Sequence, residues 1–176
     1  MNSGEWLTRG SAWLAFAAWA AALALGHRRR IPVCRPADFI WLSGAVTMLV
    51  HTALAFHVYH DWSHAAAVAD TARQTRELTS LNWGGGVWLN YLFAAVWLGD
   101  ALWRLASPAS HTRRPRWLAV ITHGFLAFIW FNATVVFGSW LMRITGAVVF
   151  AALTLPILRG RDKSAQRAKQ SLKARS

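Results

Sequence analysis

Three histidines lie close together in this chain, at His57, His60 and His64, with Asp61 beside them. On an ideal α-helix with 100° per residue the three imidazoles lie within about 60° of one another, on one face. His60 and His64 are four residues apart, the spacing at which two imidazoles of one helix bind the same metal ion. The pattern predicts a metal or cofactor site on this face.

The chemistry of such a site follows from its donor atoms. Imidazole is a good ligand for copper, zinc or iron, and haem is a further candidate cofactor. Asp61 would either coordinate the metal or orient one imidazole by a hydrogen bond to the ring nitrogen that does not bind the metal. The alternative is that His57, His60 and His64 only anchor the end of a helix in the lipid headgroup layer.

Two further histidines lie inside apolar segments. His51 shares a helical stripe with Gly44 and Thr47, small residues of the kind that face neighbouring helices. An ionisable residue deep in an apolar segment is costly, so His51 and His123 are candidates for cofactor binding, including ligation of a tilted haem between them. The alternative for His51 is a neutral imidazole that is hydrogen-bonded to a neighbouring helix.

One acidic residue lies inside an apolar segment. Asp100 is followed four residues later by Arg104, which predicts an ion pair within one helix. A proton or metal relay through Asp100, His51 and His123 is a further hypothesis. The sequence shows no paired repeats or broken helices in support of transport.

The composition indicates what kind of elements position these residues. Of the 176 residues, 55% are hydrophobic and only 15% are charged, whereas about one quarter of a soluble domain is charged. The net charge is +12, and the basic residues lie between and after the apolar blocks, which favours a membrane over nucleic acid as partner. Cys34 is the only cysteine, which excludes an intrachain disulfide and a CxxC motif.

Five apolar segments approach the roughly 20 residues that a helix needs to cross a bilayer. They cover residues 11–26, 39–60, 85–103, 117–137 and 140–158. The predicted fold is an all-α polytopic membrane bundle of five transmembrane helices over 1–158, followed by a basic cytoplasmic tail over 159–176. Asp70 and Glu77 flank Arg73 at helical spacings, which predicts a short amphipathic surface helix between the second and third spans. The fifth segment carries Arg143, and an interfacial helix is its alternative.

Basic residues predict the orientation. Loops 27–38 and 104–116 and the tail together hold fifteen of the nineteen basic residues. Five spans place all three of these segments on the cytoplasmic side, with the N-terminus outside. The predicted location is a bacterial inner membrane, and many of the twelve tryptophans fall near span ends, as in interfacial aromatic belts.

Two functions fit these features. The first is a small integral membrane protein whose outer-face histidines bind a metal or haem, in electron transfer or in the assembly of a membrane redox complex. The alternative is a cofactor-free accessory or structural subunit of a larger membrane complex, in keeping with the short loops. The expected partners are the lipid bilayer and other membrane subunits or a second copy, and not nucleic acid. No nucleophile–base spacing indicates an enzyme.

Overall fold

The computed structural model describes residues 3–26 and 36–155, which are almost entirely helical and contain no strand. The all-α class is therefore confirmed for these residues. The helices are α1 (Ser3–Gly26), α2 (Pro36–His60), α3 (His64–Thr79), α4 (Gly86–Ala106), α5 (Pro108–Thr112), α6 (Arg116–Phe131) and α7 (Trp140–Leu155), and a π-helical segment, Asn132–Val136, follows α6. Each apolar segment of the sequence coincides with one of the long helices. The predicted tail 159–176 and the end of the fifth segment lie outside the described residues.

The chain divides into two compact units between Trp130 and Phe131. Helices α1 to α6, up to Trp130, belong to the first unit. The π-helical segment and α7 belong to the second. Each unit has its own packing and is described by itself.

In the first unit, small residues bring α1 and α2 close together. A Cβ atom on Gly44 would lie 3.0 Å from the Cβ of Ala18 and 2.7 Å from Cζ2 of Trp97. Ala15, Ala22 and Ala45 are buried on the same two helices. Small side chains at such positions let helix backbones approach, which is the usual basis of helix association in lipid.

The space beside this small-residue contact is filled by aromatic rings. Trp130 meets Phe16, Phe93 and Trp97 with ring centroids 5.1, 5.6 and 6.1 Å apart, in tilted or edge-to-face geometry. Aromatic pairs in these arrangements are favourable by about 0.5–1.5 kcal/mol beyond burial. Trp41 is fully buried and lies 5.5 Å from Trp97, so it belongs to the core and not to an interfacial belt.

Helix α3 is the short helix predicted between the second and third apolar segments. Ser63 caps its N-terminus by accepting a hydrogen bond from the backbone N–H of Ala66. Its exposed face carries Arg73, which donates to Asp70 at 2.5 Å and to Glu77 at 2.8 Å. These hydrogen bonds, that of Asp70 first, raise the pKa of Arg73. Ala67 and Thr75 are buried on the opposite face.

In the second unit, the side chain of Arg143 forms hydrogen bonds with backbone carbonyl groups near the start of α7. Its Nε donates to the Gly138 carbonyl at 2.9 Å and its Nη2 to the Val136 carbonyl at 3.0 Å. Carbonyls at the end of a helix lack intrahelical partners, and in an apolar medium each needs another donor. Arg143 therefore caps the π-helical segment. Gly146 of α7 has no space for a side chain, because an added Cβ atom would lie 2.5 Å from Oγ1 of the buried Thr134.

Two helices are long and apolar enough to cross a bilayer, namely Pro36–His60 and Arg116–Val136. Trp140–Leu155 is apolar but shorter. Helices α1 and α4 have sufficient length, yet Glu5, Arg9, Asp100 and Arg104 reduce their hydropathy. Length and composition thus support two of the five predicted crossings.

Candidate functional site: a buried carboxylate network

Asp100 is the centre of the most extensive polar cluster of the first unit. Its side chain is 5% exposed. Oδ2 accepts a hydrogen bond from Nε1 of Trp41 on α2 at 3.0 Å. Oδ1 lies 3.1 Å from Nε2 of His111 and accepts a hydrogen bond from Nη1 of Arg114. A carboxylate can stay ionised away from water only with such compensation.

Arg114 joins this carboxylate to α6. Its side chain is 9% exposed, and its Nη2 lies 3.1 Å from Nε2 of His123. A guanidinium group only donates hydrogen bonds. Nε2 of His123 is therefore the acceptor, which places the proton of this neutral imidazole on Nδ1. The ring of His123 also meets Trp41 edge-on, with centroids 5.5 Å apart.

His111 is the member of the network with two competing partners. Its Nε2 faces Oδ1 of Asp100 at 3.1 Å and Nη1 of Arg114 at 2.5 Å. One ring nitrogen either donates to the carboxylate or accepts from the guanidinium group, but not both. The tautomer of His111 decides which of the two hydrogen bonds its Nε2 makes. The network joins the segment between α4 and α6, residues 107–115 (the α5 turn), which carries His111 and Arg114, to α2, α4 and α6.

The predicted pair of Asp100 with Arg104 is wrong. Arg104 bonds instead to Asp38 on the first turn of α2, with Nε 2.5 Å from Oδ1. The cause is the antiparallel packing of α2 and α4. It places Trp41 level with Asp100, and Asp38, one turn earlier on α2, level with Arg104.

His51 packs against α1. Its Nδ1 lies 2.9 Å from the Thr8 carbonyl, to which it donates, and 3.3 Å from Oγ of Ser11. His123 lies instead beside Trp41, ten residues earlier on α2, which is about 15 Å along the helix axis. The structure therefore gives each histidine its own protein partners and does not bring the two together around a common cofactor.

The histidine cluster of His57, His60 and His64 does not lie on one continuous helix. α2 ends at His60, and Asp61 and Trp62 adopt left-handed conformations with φ of 45° and 62°. α3 then begins at His64. His60 and His64 are four residues apart but do not share one helix face, because α2 ends at His60 and α3 begins at His64. His57, Asp61 and His64 are all exposed.

Aromatic neighbours contact these histidines. Nδ1 of His64 is 3.0 Å from the Tyr91 hydroxyl, and the two rings stack with centroids 5.8 Å apart. His60 meets Phe56 edge-on at 5.7 Å. Among residues 3–26 and 36–155, no group of three or more potential ligand side chains has the geometry to hold a metal ion.

Sequence patterns did not indicate His111, Arg114 or Trp41 as site residues. Arg114 lies in "HTRRPRW", where its charge is one of several in a basic loop. Only the burial of Arg114, in contrast with the exposed Arg113 and Arg116, separates it from its neighbours. No signal in the sequence carries that distinction.

The described residues define an all-α protein with two apolar helices of membrane-spanning length and a buried ion network. No family model matches the chain, and neither a curated protein nor a solved structure is significantly similar to it. Fold, exposure and the buried network are therefore the basis on which a function is inferred.

Proposed function

We propose that this chain is an integral membrane protein that crosses the bilayer five times, and that it serves as a cofactor-free subunit of a larger membrane complex. One observation carries the membrane location. In the most apolar windows of Pro36–His60 and Arg116–Val136, only 17% and 22% of the residues are buried inside the protein. In a core helix of a soluble protein most residues would be buried by the protein itself. The exposed apolar surface of these two helices therefore supports a lipid environment.

The distribution of polarity agrees with this location. Large apolar side chains are exposed along the helices, including Leu49 and Val50 on α2 and Ile121 on α6. Asp100 and Arg114 lie inside. Charged groups within a membrane face the interior of the bundle and pair with one another.

Packing supports the crossings by α1 and α4. At 1.5 Å per residue these helices are about 36 and 32 Å long, comparable to the ~30 Å hydrocarbon layer. Contacts with α2 follow much of that length, from His51 with Thr8 to Gly44 with Ala18 and Trp41 with Asp100. The length of α1 and α4 and their packing along α2 support the proposal that both cross the same layer.

Cysteine labelling tests the topology. In a Cys34→Ser background, Ala69→Cys on α3 should react with a membrane-impermeant maleimide in intact cells. Arg113→Cys, beyond the other end of α4, should react only after permeabilisation. Both positions are exposed, so reactivity reports the side of the membrane. Equal labelling of the two in intact cells would contradict a crossing by α4.

The subunit role is supported by how the interior polar groups are used. Arg114 bonds to both Asp100 and His123, and His51 bonds to α1. These groups hold helices together and do not surround an open reaction site. Native mass spectrometry of the protein extracted in mild detergent should show a fixed stoichiometry with another chain or with a second copy. A bare monomer would contradict the subunit role.

Metal or haem binding in a redox complex is the second candidate function. It is favoured by the exposure of His57, Asp61 and His64 around the single turn between α2 and α3. Metal analysis and an absorption spectrum should then show a stoichiometric metal or haem in the wild-type protein and its loss in the His60→Ala/His64→Ala variant. A colourless, metal-free wild-type protein in its native complex would exclude this function.

A further inference from the structure

A stripe of basic and then apolar side chains runs from the end of α5 along the exposed side of α6. This basic–apolar stripe consists of Arg113, Arg116, Trp117, Val120, Ile121 and Gly124. We propose that it binds an anionic phospholipid, with the phosphate between the two arginines and an acyl chain along α6. This inference rests on the proposed membrane location.

At the charged end of the stripe, no counter-ion comes from residues 3–26 or 36–155. Arg113 and Arg116 are exposed, and neither forms an ion pair within the described part of the chain. The acidic side chains on nearby elements are already used, since Asp100 bonds to Arg114 and Asp38 to Arg104. A planar guanidinium group matches phosphate oxygens through paired hydrogen bonds, so the exposed arginines at the end of α5 and the start of α6 form a suitable phosphate contact.

The apolar end continues directly from the charges. Trp117, Val120 and Ile121 are 63, 70 and 60% exposed. Gly124 follows one turn later, and a Cβ atom there would meet nothing within 4 Å. Its missing side chain leaves a shallow notch on the helix surface between bulkier neighbours. An acyl chain can lie along this surface without displacing any protein atom.

The order of side-chain types along the stripe favours a lipid over a protein partner. Along about 12 Å of α6, from Arg116 to Gly124, cationic groups are followed by an indole and then by aliphatic side chains. One leaflet has the same order of phosphate, headgroup interface and hydrocarbon, and tryptophan prefers the middle layer. The proposed orientation places this end of α6 at the cytoplasmic leaflet, where negative lipids attract basic segments next to the membrane.

The test uses the full chain in nanodiscs that contain equal amounts of phosphatidylglycerol and phosphatidylcholine, followed by native mass spectrometry of the lipids that remain bound. The wild-type protein should retain phosphatidylglycerol preferentially. The Arg113→Gln/Arg116→Gln variant should lower this preference roughly thirtyfold, the combined effect of two basic side chains that attract an anionic membrane surface. The Arg113→Lys/Arg116→Lys variant, which keeps both charges, should retain most of it.

A matched control removes two arginines elsewhere. Arg73→Gln/Arg76→Gln changes α3, at the opposite end of α4, and should leave the lipid preference unchanged. An equal loss in both double variants would overturn the proposal, because it would show only a general effect of net charge. No preference in the wild-type protein would overturn it as well.

Two further outcomes separate this proposal from others. A dimer in the native spectrum that is lost in the Arg113→Gln/Arg116→Gln variant would identify a second copy, and not a lipid, as the occupant of the stripe. Carbonate extraction of cell membranes reports insertion independently. A chain that resists carbonate but shows no lipid preference would refute the lipid site alone, whereas a chain released by carbonate would refute the membrane location.

Discussion

Replacing Arg114 by glutamine should destabilise the protein more than any other single charge removal in the α5 turn. The substitution leaves Asp100 without its guanidinium partner at a position where the two side chains are only 5% and 9% exposed. Removing one partner of a buried ion pair costs about 3–5 kcal/mol of unfolding free energy. Trp41 and His111 still bond to the carboxylate, so a loss of about 3 kcal/mol is expected.

The assay is an equilibrium titration of the purified protein from a mild detergent into sodium dodecyl sulfate, followed by far-ultraviolet circular dichroism. The neighbouring Arg113→Gln substitution is the control, because that side chain is exposed and its loss should change stability by less than about 0.5 kcal/mol. A double-mutant cycle adds Asp100→Asn. The Asp100→Asn/Arg114→Gln variant should lose less stability than the sum of the two single variants, since no unpaired charge remains.

The reasoning is refuted if Arg114→Gln is no more destabilising than Arg113→Gln. It is also refuted if the two effects add within about 0.5 kcal/mol, the behaviour of independent sites. Either result would mean that Asp100 and Arg114 do not compensate each other inside the protein.

Other predictions concern packing, capping and hydrogen bonding, and the same titration checks those on stability. Gly44→Ala should cost about 1–3 kcal/mol because its Cβ has no space, whereas Gly124→Ala, in open surroundings, should cost nothing. Ser63→Ala should cost about 1 kcal/mol through the lost N-cap, with faster amide hydrogen exchange confined to the start of α3; unchanged exchange there would contradict the capping role. His51→Phe should cost about 1 kcal/mol through its lost bond to α1, and stability equal to that of a Ser43→Ala control on the exposed side of α2 would contradict it.

Helix positions could be predicted from the sequence because they depend on local composition. Runs of apolar residues bounded by Arg, Gly, Pro and Asn define where a helix begins and ends, and the spacing of Asp70, Arg73 and Glu77 indicates α3. The break between α2 and α3 at Asp61 and Trp62 was not predictable in the same way. Non-glycine residues rarely adopt positive φ, and here two do so in succession. The histidine prediction assumes one continuous helix from His57 to His64, and this turn interrupts that helix.

The partners of Asp100 could not be predicted either. Arg104, at a favourable local spacing, was the nearest candidate in sequence, but Arg114 is fourteen residues away and reaches Asp100 only because the α5 turn folds back. The competing acid Asp38 comes from another helix. Which of several arginines is buried depends on how α2, α4 and α6 pack, and that information is distributed over many residues.

The separation of Asp100 from Arg114 along the chain has a consequence for biosynthesis. On the proposed membrane location, α4 is synthesised before its cation, and a lone carboxylate disfavours partition from the translocon by up to about 2.5–3.5 kcal/mol, the value near the bilayer centre. If α4 and α6 insert together as a hairpin, Asp100 and Arg114 enter the membrane as a pair. Only the α5 turn, between Ala106 and Arg116, separates the two helices, and at ~5–20 residues per second the ribosome completes it within a few seconds. Helix α4 is therefore expected to wait at the lateral gate and to enter the lipid as a pair with α6.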